Sequence, residues 1–151
     1  MHSPWKVLEK WRRLAGPGVA ATGAGPSPAG TTRSAGQAAE DAALHYLQQQ
    51  GLQLLARNYR TPGRGGGEID LVMQERDGTV VFVEVRQRLH RDFGGAAGSI
   101  GSTKQRRIVL AARYYLAQVA PMPPCRFDAV RVHERREWLK AAFDAPADGG
   151  W

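Results

Sequence analysis

The sequence has little cysteine and no long apolar run. Cys125 is the single cysteine among 151 residues, so an intramolecular disulfide is excluded and a cysteine-based zinc site is disfavoured. No apolar run approaches the roughly 18 residues of a membrane-spanning helix. The N-terminal residues 1–15 also lack the continuous apolar core of a secretory signal. We therefore expect a cytoplasmic protein without a membrane span.

The common motifs of nucleotide binding and nucleophilic hydrolysis are also missing. There is no GxSxG element and no GxxxxGK[ST] loop. The glycine-rich segment 61–67, TPGRGGG, lacks the Lys-Ser/Thr pair that a phosphate-cradling loop needs. The four histidines are scattered without metal-ligand spacing. These absences argue against a serine hydrolase, a P-loop enzyme and a histidine-based metal centre.

Positive charge is abundant. Lys and Arg number 21 against 14 Asp and Glu, for a net charge of +7 and an isoelectric point of about 10.2. Such a balance favours a polyanionic partner, with nucleic acid first and an acidic membrane surface second. A basic protein without such a partner remains the alternative.

The chain length predicts one folded domain with extensions. Residues 16–33 consist mainly of Gly, Ala, Pro, Ser and Thr, which favours a flexible linker. We predict a basic, flexible N-terminal extension at 1–33, a domain at 34–144 and a disordered tail at 145–151. Residues 1–15 have the spacing of a short amphipathic helix that is ordered on binding or not at all.

Hydrophobic periodicity predicts a mixed α/β domain in the order α-β-β-β-α-β-β. A capping-box spacing starts each helix, Ser34 with Gln37 and Ser102 with Gln105. Gly51 is the expected stop of the first helix, and prolines beyond Val119 end the second. The predicted helices are 34–50 and 102–119, and the predicted strands are 52–59, 67–75, 79–88, 125–133 and 136–143.

Acidic residues occur inside two strands that are otherwise apolar. Asp70 lies in GEIDLV and Glu84 in VFVEVR. A two-residue turn at Asp77-Gly78 would point these carboxylates to opposite sides. A three-residue loop ending at Gly78 places Asp70 opposite Glu84, and Gly suits the left-handed position that such a loop requires.

Two carboxylates that face each other repel, and a hard divalent cation relieves the repulsion. The pattern therefore allows a magnesium-type site. The alternative is a surface hairpin whose acids are neutralised by Arg86 and Arg88. Lys104 opens the second helix, where a cation is unfavourable, and lies on its inward stripe. We expect an anion beside it, although an exposed lysine is the competing interpretation.

Arginines gather around the second helix and the glycine-rich loop. Their planar guanidinium groups suit phosphate oxygens, so they predict a nucleic-acid-binding rim, with an ordinary solvated helix face as the alternative. The residues assigned to this rim are Arg64, Arg88, Arg106, Arg107 and Arg113, with Arg60 and Arg91 nearby.

Several separated motifs together resemble the YraN family of small bacterial proteins. They are Glu40, GEIDLV at 67–72, VFVEVRQR at 81–88, Lys104-Gln105-Arg106, and Arg126-Phe127-Asp128 with WLKAAF at 138–143. The resemblance covers about 35–143. That family is similar to the restriction-endonuclease-like superfamily, with its PD-(D/E)xK signature and Holliday-junction-resolvase-like members. The resemblance implies a mixed sheet flanked by helices.

The resemblance also implies roles for matching positions. Asp70 corresponds to the first signature acid, Glu84 to the second, Arg86 to the signature lysine and Glu40 to an acid on the first helix. Arginine at 86 departs from the pattern, because it stays protonated and cannot act as a base. It can still stabilise charge on phosphate, and Lys104 is a candidate displaced lysine.

The resulting first hypothesis is a metal-dependent nuclease-like protein acting on DNA. Asp70, Glu84 and the Val85 carbonyl are expected to hold Mg²⁺ or Mn²⁺. Glu68 is a further candidate at the metal, where it and Glu40 would orient water, while Arg86 and Lys104 would contact the phosphate. A non-catalytic nucleic-acid-binding module is the second hypothesis and a structural adaptor the third. Many nucleases of this fold act as dimers, so a homodimer is an open expectation.

Overall fold

A computed structural model describes residues 31–87, 100–132 and 136–146, with only the backbone of 31–33. The elements follow the predicted order α-β-β-β-α-β-β. The helices are α1 (Thr31–Gln49) and α2 (Ser102–Ala117). The strands are β1 (Gln53–Arg60), β2 (Glu68–Gln74), β3 (Val80–Gln87), β4 (Cys125–Val132) and β5 (Arg136–Phe143).

The five strands form one sheet in chain order, β1-β2-β3-β4-β5. Strands β3 and β4 are parallel, and every other neighbouring pair is antiparallel. Helix α2 makes the crossover between the parallel strands, which is the usual connection for such a pair. The α/β class and the element order predicted from the sequence are confirmed.

Each face of the sheet carries one helix over its own apolar cluster. Phe82, Ile108, Tyr115 and Phe127 belong to the cluster under α2. On the other face, α1 covers a cluster that includes Leu47, Leu71, Val81, Val83 and Val130. Residues of β3 alternate between the two clusters, because side chains point to opposite faces along a strand. A continuous apolar run such as VVFV in β3 therefore marks a central strand that is buried on both faces.

The buried faces of the helices agree with their hydrophobic spacing, whereas both capping boxes are wrong. Helix α1 begins at Thr31, so Ser34 lies inside it. Gly101 is the N-cap of α2 and no side chain caps this end. Gln105 instead donates from Nε2 to the Ile100 carbonyl at 2.8 Å. The two predictions failed because a Ser-x-x-Gln spacing does not by itself determine which residue is the N-cap.

The end of α1 is as predicted. Gly51 has a φ of +94°, a conformation that glycine adopts without a Cβ clash. The Leu52 amide donates back to the Leu47 carbonyl at 3.1 Å, which closes a glycine C-terminal motif.

Some predictions fall on residues that the structure does not describe or does not test. The N-terminal amphipathic segment, Arg88 and Arg91 lie outside the described ranges. The domain limits stay predictions, although α1 starts three residues before the predicted limit and Ala145 packs against the core cluster beneath α2. Within the described ranges, neither helix has the length and apolarity needed to cross a membrane.

Candidate functional site

The β2–β3 hairpin has the loop with an odd number of residues that the acidic site requires. Gln74 pairs with Val80, and the Glu75 amide donates to the Thr79 carbonyl at 2.9 Å. Three residues, Arg76 to Gly78, remain as the loop, and Gly78 has a φ of +94°. The strand pairing continues to Leu71 with Val83, so the next position places Asp70 across from Glu84. The predicted register is confirmed.

Asp70 is a carboxyl group whose environment disfavours its charge. Burial, followed by the charge of Glu84, raises its pKa to about 7. Two weaker influences oppose the rise: the Val85 amide donates to Asp70 Oδ2 at 2.8 Å, and Lys104 attracts the carboxylate. Desolvation and a like charge are the two causes that raise a carboxyl pKa. Asp70 therefore titrates near neutral pH.

Glu84 is almost completely buried, with a relative exposure of 2%. It continues the strand row of Val80 and Phe82, which pack under α2. Its Oε1 is in ion-pair contact with Lys104 Nζ, and Arg86 Nη1 lies 4.0 Å away. A buried carboxylate requires such compensation. The expectation that Lys104 stands beside an anion is confirmed.

Close packing between the start of β2 and α2 sets the position of Lys104. A Cβ built on Gly67 would lie 1.8 Å from the Arg107 carbonyl oxygen and 3.2 Å from the Ala111 Cβ. Only glycine allows the backbone to approach α2 this closely. The contact holds the first turns of α2 against the strand that carries Asp70, and Lys104 extends from there to Glu84.

Glu40 approaches the pair from α1. Its pKa is raised, first by burial and then by the charge of Asp70. A hydrogen bond from Asn58 and the charge of Arg57 act in the opposite direction. Arg57 Nη2 lies 3.7 Å from Glu40 Oε2 and 2.7 Å from Asp41 Oδ1. Glu40 is thus an electrostatic neighbour of Asp70, while the role that the resemblance implies for it stays a prediction.

Glu68 is positioned differently from the prediction. Arg60 Nη2 donates to Glu68 Oε1 at 3.1 Å, and the Glu68 side chain is 40% exposed. Across the described residues, no three or more His, Cys, Asp and Glu side chains form a metal-binding group. The centre therefore has two adjacent carboxyl groups, Asp70 and Glu84, and the structure does not bring Glu68 to them as a third ligand.

The described basic residues of the predicted rim lie in two places. Arg106 and Arg107 are exposed on the outer side of α2, and Arg64 is exposed in the loop before β2. Arg113 is only partly exposed and has an interaction within the fold. Two apolar residues of the same helix, Leu110 and Tyr114, are also exposed. They were not among the predicted site residues, although their spacing places them opposite the buried face of α2.

Asp128 is fully buried and belongs to a separate cluster. Both of its oxygens accept from Arg126 Nε, at 3.0 and 3.1 Å. Trp138 Nε1 and the Ala141 amide donate to it at 2.9 Å each. Arg126 also reaches Glu75 at 2.6 Å. Three donors thus share the two oxygens of Asp128, which indicates a structural role for this residue.

Comparison with known proteins identifies relatives of this chain. Residues 39–132 match the family described as "Uncharacterised protein family UPF0102". A "UPF0102 protein" of Paracidovorax citrulli is 61% identical over 140 residues, which cover 92% of this chain and 98% of the relative. One from Verminephrobacter eiseniae is 65% identical over 117 residues, which cover 76% of this chain and 81% of the relative. One from an Acidovorax species is 63% identical over 122 residues, which cover 80% of this chain and 92% of the relative.

Proposed function

The chain belongs to the UPF0102 (YraN) family, and we propose that it is a divalent-metal-dependent phosphodiesterase of the nuclease type that acts on DNA. The main observation that supports this proposal is that Asp70 and Glu84 lie side by side next to Lys104. Two carboxyl groups with a neighbouring ammonium group match the recurring chemistry of phosphodiester hydrolysis, in which an anionic phosphate must be held and its developing charge neutralised.

The two carboxyl groups fit a Mg²⁺ or Mn²⁺ ion. Burial and then the charge of Glu84 raise the Asp70 pKa, and Glu84 Oε1 is a buried oxygen whose contact with Lys104 is an ion pair without hydrogen-bond geometry. Magnesium commonly uses one or two carboxylates, with water and phosphate oxygens completing its shell. Asp70, Glu84 and the Val85 carbonyl would hold the ion. When bound, it would neutralise phosphate charge and make an attacking water more acidic.

The remaining residues of the site have roles set by their charge. Lys104 is the lysine that contacts Glu84, so it can orient the phosphate from the start of α2. Arg86 also lies next to Glu84. Its permanent positive charge can stabilise the negative charge of a phosphate, but the guanidinium group cannot take a proton from water. Glu40 borders Asp70 and can accept a hydrogen bond from water in the site.

One observation favours the second candidate, a nucleic-acid-binding module without turnover. Lys104 and Arg86 already compensate the buried charge of Glu84. A centre of this kind is stable without a metal ion, since the ammonium and guanidinium groups already compensate the carboxylate charge. The same basic surface would then bind DNA through its phosphates alone.

Calorimetric titration with Mn²⁺ tests the proposal. The wild type should bind the ion, and Glu84→Gln should lose binding while keeping nearly the same side-chain volume. Glu68→Gln is the matched control, because Glu68 lies on the same hairpin but pairs with Arg60. Single-turnover assays on duplex, branched and single-stranded DNA should show Mn²⁺-dependent cleavage that Glu84→Gln abolishes. DNA binding without Mn²⁺ binding or cleavage would instead establish the binding module.

A further inference from the structure

The outer face of α2 combines exposed apolar side chains with a strong positive charge. Leu110 has a relative exposure of 39% and Tyr114 of 48%. They are one helical turn apart, on the side opposite the buried residues Ile108, Ala112 and Tyr115. Tyr114 does not fill the core, and with Leu110 it forms a small exposed apolar patch on the basic side of the helix.

The charges of α2 restrict what can cover this face. The helix carries four basic residues, Lys104, Arg106, Arg107 and Arg113, and no Asp or Glu. A twofold interface places the same patch on both partners, so a second copy would bring arginines against arginines. An anionic partner that also offers flat apolar surfaces satisfies both the charge and the exposed ring.

Unpaired nucleotides have this combination of chemistry. Their phosphates suit arginine, and their bases stack on aromatic side chains, as in single-strand-binding surfaces. In a duplex the base faces are already stacked inside, so Leu110 and Tyr114 would meet only the backbone. Exposed Arg106 and Arg107 stand on the same outer side as the two apolar residues, where they can hold the phosphates that flank a stacked base.

The face is also continuous with the candidate site. Lys104 contacts Glu84 from the first turn of α2, and Tyr114 follows ten residues later, about 15 Å along the helix at 1.5 Å per residue. Arg107 lies between them and has its carbonyl against Gly67. A strand bound along α2 would therefore lead to the Asp70–Glu84 pair.

We propose that the outer face of α2 binds single-stranded nucleic acid, with Tyr114 stacking on an unpaired base and Arg106 and Arg107 holding adjacent phosphates. The role of this face as the substrate-binding surface of the candidate site rests on the proposed function. Binding at this face would make unpaired segments of nucleic acid, rather than intact duplex, the preferred substrate class.

Fluorescence anisotropy with a labelled oligothymidylate and a labelled blunt-ended duplex, both in EDTA, tests this preference. Tyr114→Ala should weaken binding of the single strand by about fivefold to 150-fold, the effect of losing one stacked base. Binding of the duplex should change by less than about twofold, since it depends on phosphate contacts. Tyr114→Phe should restore single-strand affinity, because the ring and not the hydroxyl stacks.

Met122→Ala is the matched control. Met122 is an exposed apolar residue at 53% but lies beyond the end of α2, so its removal should leave both affinities unchanged. Circular dichroism melting should show that each variant is folded. Equal losses on both DNAs, or no loss on either, would overturn the proposal. So would sedimentation showing a wild-type dimer that Tyr114→Ala dissociates without weakening single-strand binding.

The absence of metal in this assay separates the inference from the proposed catalysis. Tyr114-dependent single-strand binding in a protein that fails to cleave DNA would support the stacking surface and overturn the nuclease. Glu84-dependent cleavage with a Tyr114→Ala variant of unchanged affinity would support the nuclease and overturn the stacking surface.

Discussion

Gly67 lies so close to the Arg107 carbonyl oxygen that no side chain fits between the two residues. A Cβ on Gly67 would be 1.8 Å from the Arg107 carbonyl oxygen, far inside van der Waals contact. The neighbouring atoms belong to the backbone of α2, so no change of rotamer can relieve the clash. This contact joins the strand that carries Asp70 to the helix that carries Lys104.

Gly67→Ala should therefore lower the free energy of unfolding by about 1–3 kcal/mol, as overpacking does in other tightly packed interiors. Urea denaturation measures the change. Gly36→Ala in α1 is the control, because nothing lies within 4 Å of its added Cβ. This variant should be neutral or more stable by up to about 1 kcal/mol, from helix propensity. Wild-type stability of Gly67→Ala would contradict the close contact.

The titration of Asp70 should respond to both of its charged neighbours. Glu84→Gln should lower the Asp70 pKa from about 7, since the Glu84 charge raises it, and Lys104→Met should raise it. Carboxyl-detected NMR titration measures both shifts. The folded-state pKa exceeds the ordinary value of 3.8, so the folded state binds this proton more tightly. Asp70 should thus add to stability as the pH falls through 7 towards 3.8, and less so in Glu84→Gln.

Arg86→Lys should increase Mn²⁺-dependent cleavage. A lysine at this position can position or deprotonate water, whereas arginine keeps its proton. Lys104→Ala should abolish cleavage but leave Mn²⁺ affinity largely intact, because Lys104 is not a metal ligand. Single-turnover rates and calorimetric titration of the same preparations check both outcomes. If wild type and Arg86→Lys are both inert on every DNA while binding persists, the non-catalytic module is correct.

The arginines of α2 should set the salt dependence of DNA binding. Each phosphate contact that is lost should reduce the slope of log affinity against log salt by about 0.9 on duplex DNA and about 0.7 on single strands. Replacing Arg106, Arg107 and Arg113 together with Ala should flatten the slope, with the first two giving the clearer effect because they are exposed. Arg136→Ala on β5 is a control for loss of one positive charge elsewhere. An unchanged slope would place the DNA on another face.

Asp128→Ala should be among the most destabilising single changes in the domain. It would leave Arg126, Trp138 Nε1 and the Ala141 amide without their common acceptor. Breaking a buried charged pair by removing one partner costs about 3–5 kcal/mol. Thermal and urea denaturation measure the loss. Glu137→Ala, which breaks an exposed pair with Arg131, should change stability by less than about 1 kcal/mol.

Local rules were sufficient for the buried helix faces and for the C-terminal stop at Gly51. Ala39, Ala43 and Leu47 are buried on α1 as their spacing predicts. For the β2–β3 hairpin these rules left two loop lengths open; the structure has the three-residue loop, and a strand period of two then determines which acids meet. The capping boxes failed because a Ser-x-x-Gln spacing does not by itself determine which residue is the N-cap.

The sequence by itself determined the α/β order, because that order follows from hydrophobic periodicity, and it allowed Asp70 to meet Glu84 through a three-residue loop, which the structure then showed. Only the tertiary structure decided which charges surround that pair. Glu68 binds Arg60 because the β1–β2 register sets these two residues side by side, and Lys104 reaches Glu84 because α2 packs on Gly67. Such contacts join segments far apart in the chain, and their geometry follows from how the layers pack rather than from any local pattern.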